Sequence, residues 1–144
     1  MPIEPGLVDA NVLVYAMDAD ASQHAVSRAL LQSASEGSTT LYVTSQILCE
    51  FYSVVTNAKR VSNPRSPADA LATISQFLRF LQVLPIPPHA VELWLDLLRR
   101  HPVSGPKIFD LQIAATMQAN GIQRIYTFNT NDFQALSEFS VLTP

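Results

Sequence analysis

The chain has 144 residues, 48% of them hydrophobic, which fits one compact domain spanning 1–144 and excludes a disordered or low-complexity protein. Charged residues make up only 15% and the formal net charge is -3, which argues against a protein that coats nucleic acid through its overall field and hints at an apolar surface kept for a permanent partner. A lone Cys49 and dispersed His24, His89 and His101 exclude an internal disulfide and a multi-cysteine zinc site, and no signal-like or spanning segment is found, so a soluble cytoplasmic protein without a membrane partner is expected.

Short apolar runs alternate with longer segments of helical period, the pattern of an α/β sheet covered by helices. Residues 6–9 read as the first strand, followed by a short helix over 11–17. A second helix is predicted over 20–36, with Asp20 and Gln23 as a capping box and Gly37 as its stop. Residues 41–44 form the second strand, and Ser45 is a plausible N-cap for a helix reaching about Lys59. After a two-proline loop, Ser66, Pro67 and Asp69 together predict a helix over 67–81. Residues 83–86 read as the third strand, and Pro87-Pro88 launches a helix that carries Trp94 to about His101. The next helix, 109–120, ends at Gly121; residues 125–128 are the fourth strand, Thr130 or Asn131 caps a short helix to about Leu136, and 140–142 form a final edge strand. Connections of this length suit crossovers between strands of a mostly parallel sheet.

Asp9, Glu50, Asp110 and Asp132 each abut an apolar run, where a charge costs several kcal/mol unless cations or hydrogen bonds answer it. Taken singly, each has a plainer reading. Asp9 and Asp132 suit turn or cap positions, Asp110 suits a helix N-terminus, and Glu50 sits at the border of the stripe formed by Ile47, Leu48, Phe51, Val54 and Val55. Taken together, they fall at strand ends and helix faces that an open parallel sheet can bring to one edge. Convergent carboxylates repel one another, and hard divalent ions such as Mg²⁺ or Mn²⁺ resolve the conflict.

Four segments, in order, resemble PIN-domain ribonucleases, and specifically the VapC-type toxins of bacterial toxin–antitoxin pairs. They are Leu7-Val8-Asp9-Ala10-Asn11-Val12-Leu13-Val14, Ser45-Gln46-Ile47-Leu48-Cys49-Glu50-Phe51, Asp110-Leu111-Gln112-Ile113-Ala114-Ala115-Thr116 and Thr127-Phe128-Asn129-Thr130-Asn131-Asp132-Phe133. The resemblance implies a PIN-like three-layer sandwich with a mostly parallel sheet of four to five strands. It implies that Asp9, Glu50, Asp110 and Asp132 are the catalytic and metal-binding quartet for Mg²⁺ or Mn²⁺, with Asn11, Thr127 and Asn129 as accessory polar residues. Asn129 stands where some relatives carry another acid, and Phe109 where a polar residue is frequent.

The implied activity is metal-dependent endonucleolytic cleavage of RNA by the toxin of a type II pair. The implied partners are the RNA substrate, a small antitoxin and a second copy of the chain. The stripe Leu71, Ile74, Phe77, Leu78 and Leu81 is read either as a dimer or antitoxin face or as ordinary core. Two alternatives remain open: a non-catalytic PIN-like module that holds RNA or protein, and a solitary nuclease without an antitoxin. An aspartate-nucleophile phosphatase or a phospho-receiver is disfavoured, because Asn11 stands where the former needs a second aspartate and Lys107 precedes a helix instead of ending a strand.

Overall fold

Gly6-Leu7-Val8 carries no polar side chain because it lies in the middle of the sheet. In the computed structural model of the chain, which describes residues 2–144, β1 (Gly6–Val8) has β2 (Leu41–Val43) and then β3 (Leu81–Val83) on one side. On the other side lie β4 (Arg124–Tyr126) and then β5 (Ser140–Leu142), and all four pairings are parallel. Burial follows position in the sheet: β1 is buried throughout, while β3 and β5, at the edges, expose two of their three residues.

Six helices connect these strands: α1 (Ala10–Ala16), α2 (His24–Ser35), α3 (Ser45–Val55), α4 (Pro67–Phe77), α5 (Ala90–Arg100) and α6 (Ile108–Ala119). Packing of α1 on α2 and α3, of α3 on α4, and of α5 on α6 completes the expected α/β sandwich. The core runs from Leu7, Val8 and Ile125 in the sheet to Leu13, Ile47 and Phe51 on one helical group and Leu97 and Met117 on the other, all essentially without exposure.

Local chemistry moved several boundaries. The second helix begins at His24, four residues later than expected. Gln23 makes no side-chain cap bond, and Asp18 Oδ1 instead accepts from the Asp20 N–H in a turn. Thr44, not Ser45, caps α3, its Oγ1 accepting from the Ile47 N–H at 3.1 Å. That helix ends at Val55 because Thr56 bonds back to the Tyr52 carbonyl and Asn57 Oδ1 takes the Lys59 N–H, both turn habits of short polar side chains. Ser66 caps α4 as its sequence indicates, but the helix stops at Phe77, so β3 starts at Leu81, opposite Leu41. After β4 the chain makes a 3-10 turn, Thr130–Asp132, in place of a helix to Leu136. The apolar stripe read over 71–81 divides: Phe77 on α4 and Leu81 on β3 are core, whereas Leu71 on α4 and Leu78 just beyond it are exposed.

Gly6 marks the closest approach within the sheet. A Cβ there would lie 3.0 Å from both the Arg124 carbonyl oxygen and Tyr126 Cε2. Gly6→Ala is therefore expected to destabilise the fold by about 1–3 kcal/mol through overpacking, read as a lower urea midpoint at unchanged slope; an unshifted midpoint would mean that β1 and β4 are not this tightly apposed.

Candidate functional site

From β1 the chain builds outward to β2 and β3, then returns to place β4 and β5 on the other side. The crevice between the diverging connections therefore opens beyond the carboxyl ends of β1 and β4, where open α/β sheets bind ligands. Asp9 follows β1 and Thr127 follows β4, and the Asp9 N–H extends the ladder by donating to the Tyr126 carbonyl at 3.0 Å.

Asp9 is 7% exposed and its carboxylate is fixed by several donors. Oδ1 accepts from the Ala10 N–H at 2.8 Å, which caps α1, and Oδ2 accepts from Thr127 Oγ1 at 2.8 Å and from Asn11 Nδ2 at 3.4 Å. Thr127 in turn accepts from Asn11 Nδ2 at 3.1 Å and from the Asn129 N–H at 3.0 Å, so all its hydroxyl capacity is used. Asn11 Oδ1 accepts from the Phe128 N–H at 3.1 Å. One interlocked polar group thus holds the start of α1 against the segment after β4. Burial raises the Asp9 pKa, opposed by the bonds from Thr127 and Ala10 and reinforced by the charge of Asp132.

Glu50 projects from the border of the buried face of α3, where Ile47, Phe51 and Val55 enter the core. Gln46, one turn earlier, donates to Glu50 Oε1 at 3.0 Å and to the Phe109 carbonyl at 3.3 Å, tying α3 to the start of α6. Burial raises the Glu50 pKa, Gln46 lowers it, and Asp9 adds repulsion. Asp110 heads the buried stripe of Ile113, Ala114 and Met117 on α6. Its pKa is pushed up to about 7, first by burial and then by the charges of Asp132, Asp9 and Glu50, with Lys107 partly easing it. Asp132 departs from the expectation of an apolar setting, being exposed on the 3-10 turn, although the Phe133 beside it is buried.

All four acids, with Asn11 and Asn129, line one cleft of about 600 Å³. Its wall also includes Tyr15 and Asp18 from α1 and just beyond it, and Arg60, Val61 and Ser62 from the loop after α3. Asp18 and Arg60 are not legible in the sequence, because neither lies in a segment of recognisable period and only the meeting of two loops brings them to the acids.

The donors are oxygen atoms, with no His or Cys among the lining residues, which is the chemistry that hard divalent ions prefer. Among the described residues, no three Asp, Glu, His or Cys side chains are gathered tightly enough to enclose an ion. The four acids instead face a shared open cleft across which they repel one another. This suits a metal held by a few carboxylates with water and substrate oxygens completing its shell, not by an all-protein cage.

The family model described as the PIN domain matches residues 6–138. The chain belongs to the PIN domain family. Among its relatives is Ribonuclease VapC24 of Mycobacterium tuberculosis, 27% identical over 128 residues, covering 88% of this chain and 87% of that one. VapC ribonuclease Mb2897 of Mycobacterium bovis is 39% identical over 71 residues, covering 49% of this chain and 48% of the relative. The fold is shared with Mycobacterium tuberculosis VapC20, a Sarcin-Ricin loop cleaving toxin, at TM-score 0.70 and 19% identity over 96% of this chain and 98% of that one. It is also shared with VapBC2 from Rickettsia felis bound to a promoter DNA fragment, at TM-score 0.68 and 17% identity over 99% of both chains. In this PIN-family chain, Asp9 and Thr127 are the residues that the sheet itself places at the site, while Glu50, Asp110 and Asp132 reach it from α3, α6 and the turn after β4. No helix among the described residues is long and apolar enough to cross a membrane.

Proposed function

We propose that this chain is a metal-dependent endoribonuclease, the toxin of a type II toxin–antitoxin pair, with residues 1–144 forming one PIN domain. The observation that carries the reading is the assembly of Asp9, Glu50, Asp110 and Asp132 around one cleft at the sheet's switch point. Relatives named as VapC ribonucleases support the substrate class.

In this reading Asp9, Asp110, Glu50 and Asp132 hold Mg²⁺ or Mn²⁺, which would supply a Lewis acid for the scissile phosphate and its developing charge. Asp9 is the rigid member, because Ala10, Thr127 and Asn11 fix both its oxygens. Asp110, its pKa pushed up to about 7 by burial and by the neighbouring acids, would be drawn back to its ionised form by a bound cation. Glu50 has Oε1 held by Gln46, leaving Oε2 to accept a proton from the water that adds to phosphorus, while the departing ribose oxygen takes a proton from solvent in the open cleft. The accessory residues Asn11, Thr127 and Asn129 keep the Asp9 carboxylate in place as substrate enters.

The partners of this reading are the RNA substrate, a cognate antitoxin and a second copy of the chain, to which exposed Leu71 and Leu78 offer apolar surface, and its setting is the cytoplasm. Incubating RNA with the protein while Mg²⁺ or Mn²⁺ is titrated tests the activity. New internal ends that appear with metal and vanish with chelator are expected, and RNA left intact at every metal concentration would assign the chain to a non-catalytic binding module instead. A growth-inhibition assay, repeated with co-expression of any small open reading frame that adjoins the gene, separates a paired toxin from a solitary nuclease.

A further inference from the structure

Arg60 is a cation in the wall of a cleft lined by five carboxylates, those of Asp9, Asp18, Glu50, Asp110 and Asp132, yet it pairs with none of them. The ion pairs among the described residues are those of Arg100 with Asp96 and Glu138, on another part of the surface. Glu50 is eased by Gln46 and not by Arg60, and the cation that eases Asp110 is Lys107. Arg65, from the same loop, is already committed, with Nη2 donating to the Met17 carbonyl at 3.3 Å.

The Arg60 backbone is held although its side chain is not. Its N–H donates to the Asn57 carbonyl at 2.9 Å, the Val61 N–H donates to the same oxygen at 3.1 Å, and Asn57 Oδ1 takes the Lys59 N–H at 2.9 Å. Beyond it, the Arg65 N–H returns to the Val55 carbonyl at 2.7 Å, closing the loop onto the end of α3. A fixed turn therefore places the exposed Arg60 in the lining of the cleft.

We propose that Arg60 is a substrate-positioning residue that binds a phosphate of the RNA strand next to the one being cleaved. The inference rests on the nuclease reading and adds to it the grip on the strand. A planar guanidinium matches two phosphate oxygens at once, whereas the surrounding carboxylates repel the backbone wherever a cation does not intervene. Arg60 is the cleft-lining group that offsets this repulsion directly, so it contributes to binding and register and not to the charge stabilisation of the reacting phosphorus.

The probe is a fluorescent single-stranded RNA of mixed sequence, bound to the full chain in Ca²⁺ and followed by anisotropy across a salt series. Arg60→Ala is expected to weaken binding about fivefold to tenfold and to flatten the slope of log affinity against log salt by about 0.7, with partial recovery in Arg60→Lys. Thermal stabilisation by Mg²⁺ alone, which a structural role beside the acids would alter, is expected to be unchanged. Equal affinity and slope in wild type and Arg60→Ala, or a lost Mg²⁺ response, would overturn the inference. RNA cleavage is read in parallel. Cleavage by the wild type with Arg60→Ala indistinguishable sinks the Arg60 role alone, Arg60-dependent binding without any metal-dependent cleavage sinks the nuclease reading alone, and absence of RNA binding by the wild type sinks both.

Discussion

Asp9→Asn is expected to reduce metal-dependent RNA cleavage at least about a hundredfold while leaving the far-ultraviolet circular dichroism unchanged. The substitution keeps an oxygen to accept from Thr127 or Ala10, so the polar group linking α1 to the segment after β4 survives in large part. What it removes is the charge that a cation would balance. Asp9→Ala is the blunter test, since it also deletes the acceptor that caps α1 and the acceptor for the buried Thr127 hydroxyl proton, adding about 1 kcal/mol or more of instability. Asp110→Asn is expected to lose activity to a similar extent. Cleavage retained in both asparagine variants would remove the carboxylate quartet from the chemistry.

The same Asp110→Asn change is expected to stabilise the metal-free protein. With a pKa of about 7 in the folded chain against 3.8 for an ordinary aspartate, Asp110 binds a proton more tightly folded than unfolded. The unfolded chain therefore holds fewer protons between these two values, and stability falls as pH rises through that window. Above about pH 7 the cost is fully present; towards pH 4 it disappears. The raised values of Asp9 and Glu50 act with the same sign. Because Asp110 is only half-buried, solvent screening reduces the cost to about 1–2 kcal/mol, a melting shift of a few degrees in a chain of this size.

Metal-free wild type should therefore melt higher near pH 5 than near pH 8, with a smaller difference in Asp110→Asn. Added Mg²⁺ should raise the melting temperature of the wild type more than that of the variant, since binding to the folded state alone stabilises it. A variant less stable than wild type at pH 8 without divalent ions, or a wild type that gains stability as pH rises, would contradict this account of the cluster. Such a site trades stability for function: charges that favour the apo fold least are those most useful to a bound cation.

Periodicity in the chain was sufficient for the α/β class, the parallel sheet and the position of four of the five strands to within about two residues, because parallel strands and their covering helices impose distinct apolar patterns; the third strand, read as 83–86, lies at Leu81–Val83 because α4 ends early. Ser66-Pro67-Ala68-Asp69 located a helix start by its own hydrogen bonds. Boundaries were lost where two polar residues compete for one role, as with Thr44 and Ser45, or where turn chemistry outweighs helical propensity, as at Asp18 to Gln23 and after Val55. Asp110 was legible as the head of a buried stripe, whereas the exposure of Asp132 was not, since an apolar run beside it belongs to β4 and not to its own turn.

The sequence by itself determined the fold class and the identity of four acids worth attention, since both rest on local pattern and on motif order. Only the tertiary structure decided that Asp9 is locked by Thr127 across the β1–β4 junction, that burial and the charges of Asp132, Asp9 and Glu50 together push the Asp110 pKa up, and that Arg60 shares their cleft unpaired. Those facts depend on distances between residues as far apart in the chain as 9 and 127, which strand order sets and no local pattern encodes.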